Sequence, residues 1–197
     1  MPIFYGGCMI TKVVSCDNSH EIVSLEQFCE HSRITDLYDE IAIQQCLDAA
    51  IDSVQVWLNR KLYPTRIVGI SDNFSEELYL PFPTIRKINS ISAEDKTYTD
   101  VILQQSVDWK FDDITEYVRF LPTSTTKFTQ LKRFRVDYEC GYCPDTDPIP
   151  PAVIHAILMT AATLYENRED VVVGTQINNV PLDAQRLIRV HRIRTSQ

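Results

Sequence analysis

Apolar residues first recur at helical spacing in "SLEQFCEHS", residues 24–32, where Leu25, Phe28 and Cys29 share one side. Ser24 stands where an N-cap belongs and Gln27 follows three residues on, the arrangement of a capping box. A longer helix is predicted from about residue 37 to residue 62. In it Ile43, Leu47, Ala50, Ile51, Val54 and Leu58 recur every three or four positions, with Trp57 alongside. Gln44, Asp48, Gln55 and Asn59 leave a narrow polar stripe, so this helix needs cover on more than one side. Burying each Leu or Ile contributes roughly 1.5–3 kcal/mol, which makes the segment a structural spine. Pro64 is expected to end it.

From Pro64 to about Tyr142 the period shortens. "TRIVGI", "ELYL", "INSISA", "YTDVIL", "YVRFLP" and "LKRFRVDYE" read as short strands. Phe134, Val136 and Tyr138 alternate with Arg133, Arg135 and Asp137, the pattern of a sheet with one wet face. "PFPT" and "LPTSTT" are turns, and "CPDTDPIPP" is the sharpest break in the chain. Pro150 and Pro151 then open a third helix, about residues 151–168. It is apolar almost all round through Val153, Ile154, Ile157, Leu158, Met159 and Leu164, so it belongs in an interior. Pro181 begins a last helix, "PLDAQRLIRVHRI". Between the two, "YENREDVVVG" sets the charged residues Arg168, Glu169 and Asp170 directly against Val171, Val172 and Val173. Such a triplet needs a surface to pack on. There is no internal repeat.

These patterns predict an α+β fold, mainly α: a helical bundle with a small antiparallel β block, about residues 65–142, between its second and third helices. Residues 1–23 form an extension of unassigned role, residues 24–180 the core, and residues 181–197 a basic helix and tail. At 197 residues, 44% hydrophobic and 23% charged, the chain has the composition of a soluble globular protein. With 19 basic against 27 acidic residues its formal charge is −8, the wrong sign for a protein held to duplex DNA by phosphate contacts. No stretch is long and apolar enough to span a membrane, and the first residues lack the basic and apolar regions of a secretory signal. Cytosolic synthesis is expected, with the six cysteines as thiols.

Candidate chemistry is sparse. Cys140-Gly-Tyr-Cys143 invites a zinc or redox reading, but a structural zinc site needs four ligands and only one such pair exists. A thioredoxin-like motif should open a helix; this one leads into a proline-rich turn, and the plainer reading is a strand-end turn. Glu166 and Glu169 have helical ligand spacing, but Arg168 beside them would compete with a cation, so a solvated helix end suffices. No histidine sits in a catalytic motif, and Gly6-Gly7 is not followed by the lysine and helix of a phosphate loop. Neither enzymatic activity nor a cofactor is expected. After Pro181 the charge changes sign: Arg186, Arg189, Arg192 and Arg194 are opposed by Asp183 alone, with Leu187, Ile188 and Val190 interleaved. This is either a docking element or a helix folded back on its own acidic body.

The segment "LYENREDVVVGTQINNVPLDAQRLIRVHRI" resembles the C-terminal signature of the head-to-tail connector, or adaptor, proteins of tailed bacteriophages. That signature has an aromatic residue, Glu-Asn-Arg-Glu, a valine-rich stretch ending in Gly, a Pro-Leu turn and a basic helix. "SLEQFCEHSRIT", "DEIAIQQCLDAAIDSVQVWLNRKL", "LYLPFPTIRKINSI" and "FRVDYECGY" are similar to earlier segments of the family, in order, so the resemblance runs from about Ser24 to Ile193. The first 23 residues have no counterpart in the shorter members, and Cys140 stands where a small residue is usual. The resemblance implies a virion neck protein, assembled in the host cytoplasm as a ring of about twelve copies beneath the portal protein. It implies a head-closure or tail-completion protein as the further partner, and packaged DNA passing through the channel without sequence-specific contact. Tyr165, Glu166, Asn167 and Arg168 match its motif and Arg186 and Arg189 its basic helix; together with Val171, Val172, Val173, Leu187, Val190, Arg192 and Arg194 they are expected at the portal or at a neighbouring copy. The alternatives are another neck component, a head-closure or tail-completion protein, and a small cytosolic metal or redox protein using Cys140 and Cys143. The former tend to be sheet-dominated, which the long apolar helices oppose.

Overall fold

A computed structural model describes residues 9–34, 39–72, 74–122, 128, 130–143, 147–167 and 180–192. These fall into two compact units, one built from residues 9–17 and 63–141, the other from residues 18–62 and 142–192.

The first unit holds the strands: β1 (Ile10–Cys16), β2 (Thr65–Ser71), β3 (Glu77–Tyr79), β4 (Ile85–Glu94), β5 (Asp100–Leu103), β6 (Trp109–Asp112), β7 (Tyr117–Phe120) and β8 (Lys132–Cys140). They form a five-stranded antiparallel sheet in the order β1-β2-β8-β4-β5 and a three-stranded one in the order β3-β7-β6. The alternation expected along β8 is present: Phe134, Val136, Tyr138 and Cys140 are buried, while Arg135 is exposed and Asp137 and Glu139 are partly so. A common core takes Ile67, Ile91 and Val136 from the larger sheet and Leu78, Val118 and Phe120 from the smaller. Phe74, Phe120, Phe128 and Phe134 crowd within it, their ring centroids 5.1–5.7 Å apart. The Tyr138 hydroxyl donates to the Pro81 carbonyl at 2.7 Å, which gives this buried phenol the partner it needs. Gly141 ends the sheet with φ 99°, a left-handed conformation that favours glycine.

The second unit holds α1 (Leu25–Ser32), α2 (Glu40–Leu58), α3 (Pro151–Glu166) and α4 (Leu182–Ile188), the last continued by a 3-10 turn, Arg189–His191. The capping box forms as expected: Gln27 N–H donates to Ser24 Oγ and Ser24 N–H to Gln27 Oε1, each at 3.1 Å. Ile43, Leu47, Ala50, Ile51, Val54 and Leu58 are all buried, and α2 packs chiefly against α3.

The α+β class and the sheet block between the second and third helices stand, with helix and strand in about equal shares. Two helix ends differ, and two further strands are present. The spine helix stops at Leu58, where Asn59 takes a left-handed φ of 55° and its N–H closes the last turn on Gln55 and Val56 carbonyls. The chain turns there rather than at Pro64. The last helix likewise ends at Ile188 and tightens to a 3-10 turn, so Arg192 lies beyond it in extended conformation. β6 was not foreseen, nor was β1, which falls within the unassigned extension and pairs with β2.

Candidate docking surface of the helical unit

The residues singled out by sequence lie mostly at the ends of α3 and α4. Tyr165, in the last turn of α3, sets its ring edge against Phe28 of α1, 5.9 Å between centroids at 71°. Half-buried, it locks two helices of its own unit. Glu166 and Asn167 follow, both exposed, and Asn167 caps the helix, its side-chain amide donating to the Thr163 carbonyl at 2.7 Å. Arg168, Val171, Val172, Val173 and Arg194 lie outside the described residues.

The two sides of α4 differ in burial. Val180, Ala184 and Ile188 are buried, and the Gln185 side chain donates to the Val180 carbonyl at 2.6 Å, fixing the start of the helix. The following turn is tied to the end of α2 in two places. Arg60 Nε donates to the His191 carbonyl at 3.1 Å, and the Arg192 guanidinium stacks over Trp57, 4.9 Å from the ring centroid. A cation over an indole face contributes about 0.5–1 kcal/mol at an exposed site. Of the three aliphatic residues interleaved with the arginines, Ile188 packs inward.

The other side of α4 is uncovered. Leu182 is 71% exposed, Leu187 39% and Val190 84%. Arg186 reaches Asp183 at 3.3 Å, but both side chains are more than three-quarters exposed, a pair of little strength. Arg189 is exposed and has no carboxylate partner among the described residues. Exposed arginines thus alternate with exposed aliphatic groups along this side. Periodicity could not reveal the Trp57 and Arg60 anchors, because they lie far from the C-terminal segment in sequence.

The two cysteines of the pair sit in different surroundings. Cys140 is buried at the end of β8, while Cys143 forms an antiparallel bridge with Asp147, N–H to carbonyl in both directions at 3.0 and 2.8 Å. Among the described residues no group of three or more His, Cys, Asp or Glu side chains is placed to hold a metal ion. No helix among them is long and apolar enough to cross a membrane.

No protein-family model matches the chain, and no curated protein matches it. Solved structures do. A chain in the neck of an empty GTA particle, computed with C6 symmetry, superimposes with a TM-score of 0.68 at 16% identity, over 94% of this chain and 97% of that one. The virion of the native gene transfer agent (GTA) particle and the neck of the native particle with C12 symmetry each contain a match with TM-score 0.67, at the same identity and coverage. The shared property is the fold. It extends over nearly the whole of both chains, so the β block and the helical unit occur together in those particles as they do here.

Proposed function

We propose that this protein is a non-catalytic structural component of a phage-like particle neck: a ring beneath the portal that extends the DNA channel and joins head to tail. The observation that carries the reading is the end-to-end likeness to chains of a particle neck, 94% of this chain against 97% of theirs. The C12 symmetry of one of those necks suits a ring of twelve. The ordered sequence resemblance to connector proteins points to the same place from a separate direction.

The chain's physics suits the role. A formal charge of −8 offers a polyanion no overall attraction, so DNA passing through a ring of such subunits meets little drag. Exposed contacts of about 1 kcal/mol each are weak alone, but a ring engages every copy at once and multiplies them. In this reading the end of α3, the Val171–Val173 stretch and the outer side of α4 face the portal or the adjoining copy, and a head-closure or tail-completion protein binds the opposite rim.

The test is to mix purified protein with portal rings and image the product. A stacked second ring is expected; portals that remain bare at saturating protein would remove the assignment. Truncation after Val180 is a poor control, because it would strip Ala184 and Ile188 from the core of the helical unit.

A further inference from the structure

The buried positions of α2 leave a continuous outward stripe: Ile41, Gln45, Asp48, Asp52 and Val56, all exposed and within a narrow angle of one another at 3.6 residues per turn. Ile41 is 78% and Val56 82% exposed. Most solvated faces of a long helix carry polar residues throughout; this one has aliphatic groups at both ends and two aspartates between. Among the described residues the aspartates accept from neighbouring glutamines alone, Asp48 from Gln44 at 3.0 Å and Asp52 from Gln55 at 3.2 Å. Neither meets a cation among the described residues.

The outer side of the C-terminal segment has the complementary order. Leu182, Arg186 and Arg189 fall on one side at helical spacing, with Val190 following: aliphatic, cation, cation, aliphatic. Arg186 and Arg189 are three residues apart and Asp48 and Asp52 four, both single-turn separations of about 5–6 Å. A subunit cannot satisfy itself this way. Its own segment is held at the other side of α2's end, by Arg192 on Trp57 and Arg60 on the His191 carbonyl, and the stripe stays exposed with that segment in place.

We propose that the α2 stripe of one copy receives the Leu182–Val190 segment of a second copy, head to tail, with Arg186 and Arg189 against Asp48 and Asp52 and the aliphatic residues closing the ends. Two different patches meet, so the contact is heterologous and repeats from copy to copy, as a ring requires. It deepens the ring assignment above and rests on it for closure only. It divides the C-terminal surface: Arg186 and Arg189 serve the adjoining copy, leaving the portal to other residues.

The experiment measures self-association of the purified full chain by sedimentation at low and high salt. Compared with wild type are Asp48→Lys/Asp52→Lys, Arg186→Glu/Arg189→Glu, and the chain carrying all four changes. All four positions are exposed, so the variants should fold, which circular dichroism and Tm check. Wild type should associate with rising concentration, less so in high salt. Each double reversal should weaken association about tenfold or more, since two attractions become repulsions. The fourfold variant should recover to near wild type. A wild type that stays monomeric at low salt, reversals without effect, or a fourfold variant no better than the doubles would each overturn the proposal. Portal capture without self-association would sink this contact and leave the neck assignment standing; self-association without portal capture would do the reverse.

Discussion

Asp137 shows how individual residues on the wet face of the larger sheet are held. Its two carboxylate oxygens accept from Arg66 Nε and Nη2 at 2.9 and 2.6 Å, and Asn89 adds a third donor at 3.1 Å. The Arg66 hydrogen bonds hold this carboxyl below the usual carboxylate range, against the burial that pushes it up, and Asn89 lowers it further. A depressed folded value means the contribution is fully present above the unfolded-state value, near 3.9, and is lost as pH falls through the folded one. Asp137→Ala should therefore cost about 1 kcal/mol at neutral pH, discounted because Arg66 can rehydrate. In urea melts across pH, the variant should lose less stability than wild type below about pH 4. Parallel curves at all pH values would mean that the pair contributes nothing. The pairing also takes an arginine out of circulation: Arg66, Arg119, Arg133 and Arg135 all have carboxylate partners within 4 Å and so offer little free charge to a passing phosphate.

At the scale of elements, α1 is the clearest case of local sequence dictating structure. A helix of 8 residues is too short to be stable alone, so both its cap and its packing count. Ser24→Ala removes the oxygen that accepts from Gln27 N–H and should cost about 1 kcal/mol; a loss below a few tenths in thermal melts would show that Phe28 packing alone fixes the helix. Capping and periodicity are local signals, and the elements they governed were legible: α1, the body of α2, α3 and the alternating β8. What was not legible depended on partners distant in the chain. β1 is exposed along nearly its whole length and carries a register shift between Val13 and Ser15, so it shows no alternation, and only pairing with β2 makes it a strand. β6 is likewise set by its pairing with β7. The end of α2 was misplaced because Leu62 is buried and continues the apolar spacing past the point where Asn59 has already turned the chain. The candidate surface was half legible. Its arginines and aliphatic residues stand in the sequence, whereas the division of α4 into a buried side and an open one, and the Trp57 anchor, are set by tertiary contact.

The whole molecule joins a sheet unit with a mixed aromatic core to a helical unit whose charge is unevenly spread. α1 and α2 carry exposed acids at Glu26, Glu30, Asp48 and Asp52, while the cations gather at Arg60, Lys61 and the last turn. In the proposed ring, a body polarised in this way would present opposite charges to each neighbour, so that many weak contacts hold the collar without any one of them being strong. In the proposed role the chain sits in the neck of a particle as a closed ring. Cryo-electron microscopy of purified particles, with density assigned to this sequence, tests that most directly. The expected result is a ring of twelve copies stacked on the portal, DNA or an open channel at its centre. Particles whose neck lacks the chain, or holds it as a single copy outside the channel wall, would contradict the account.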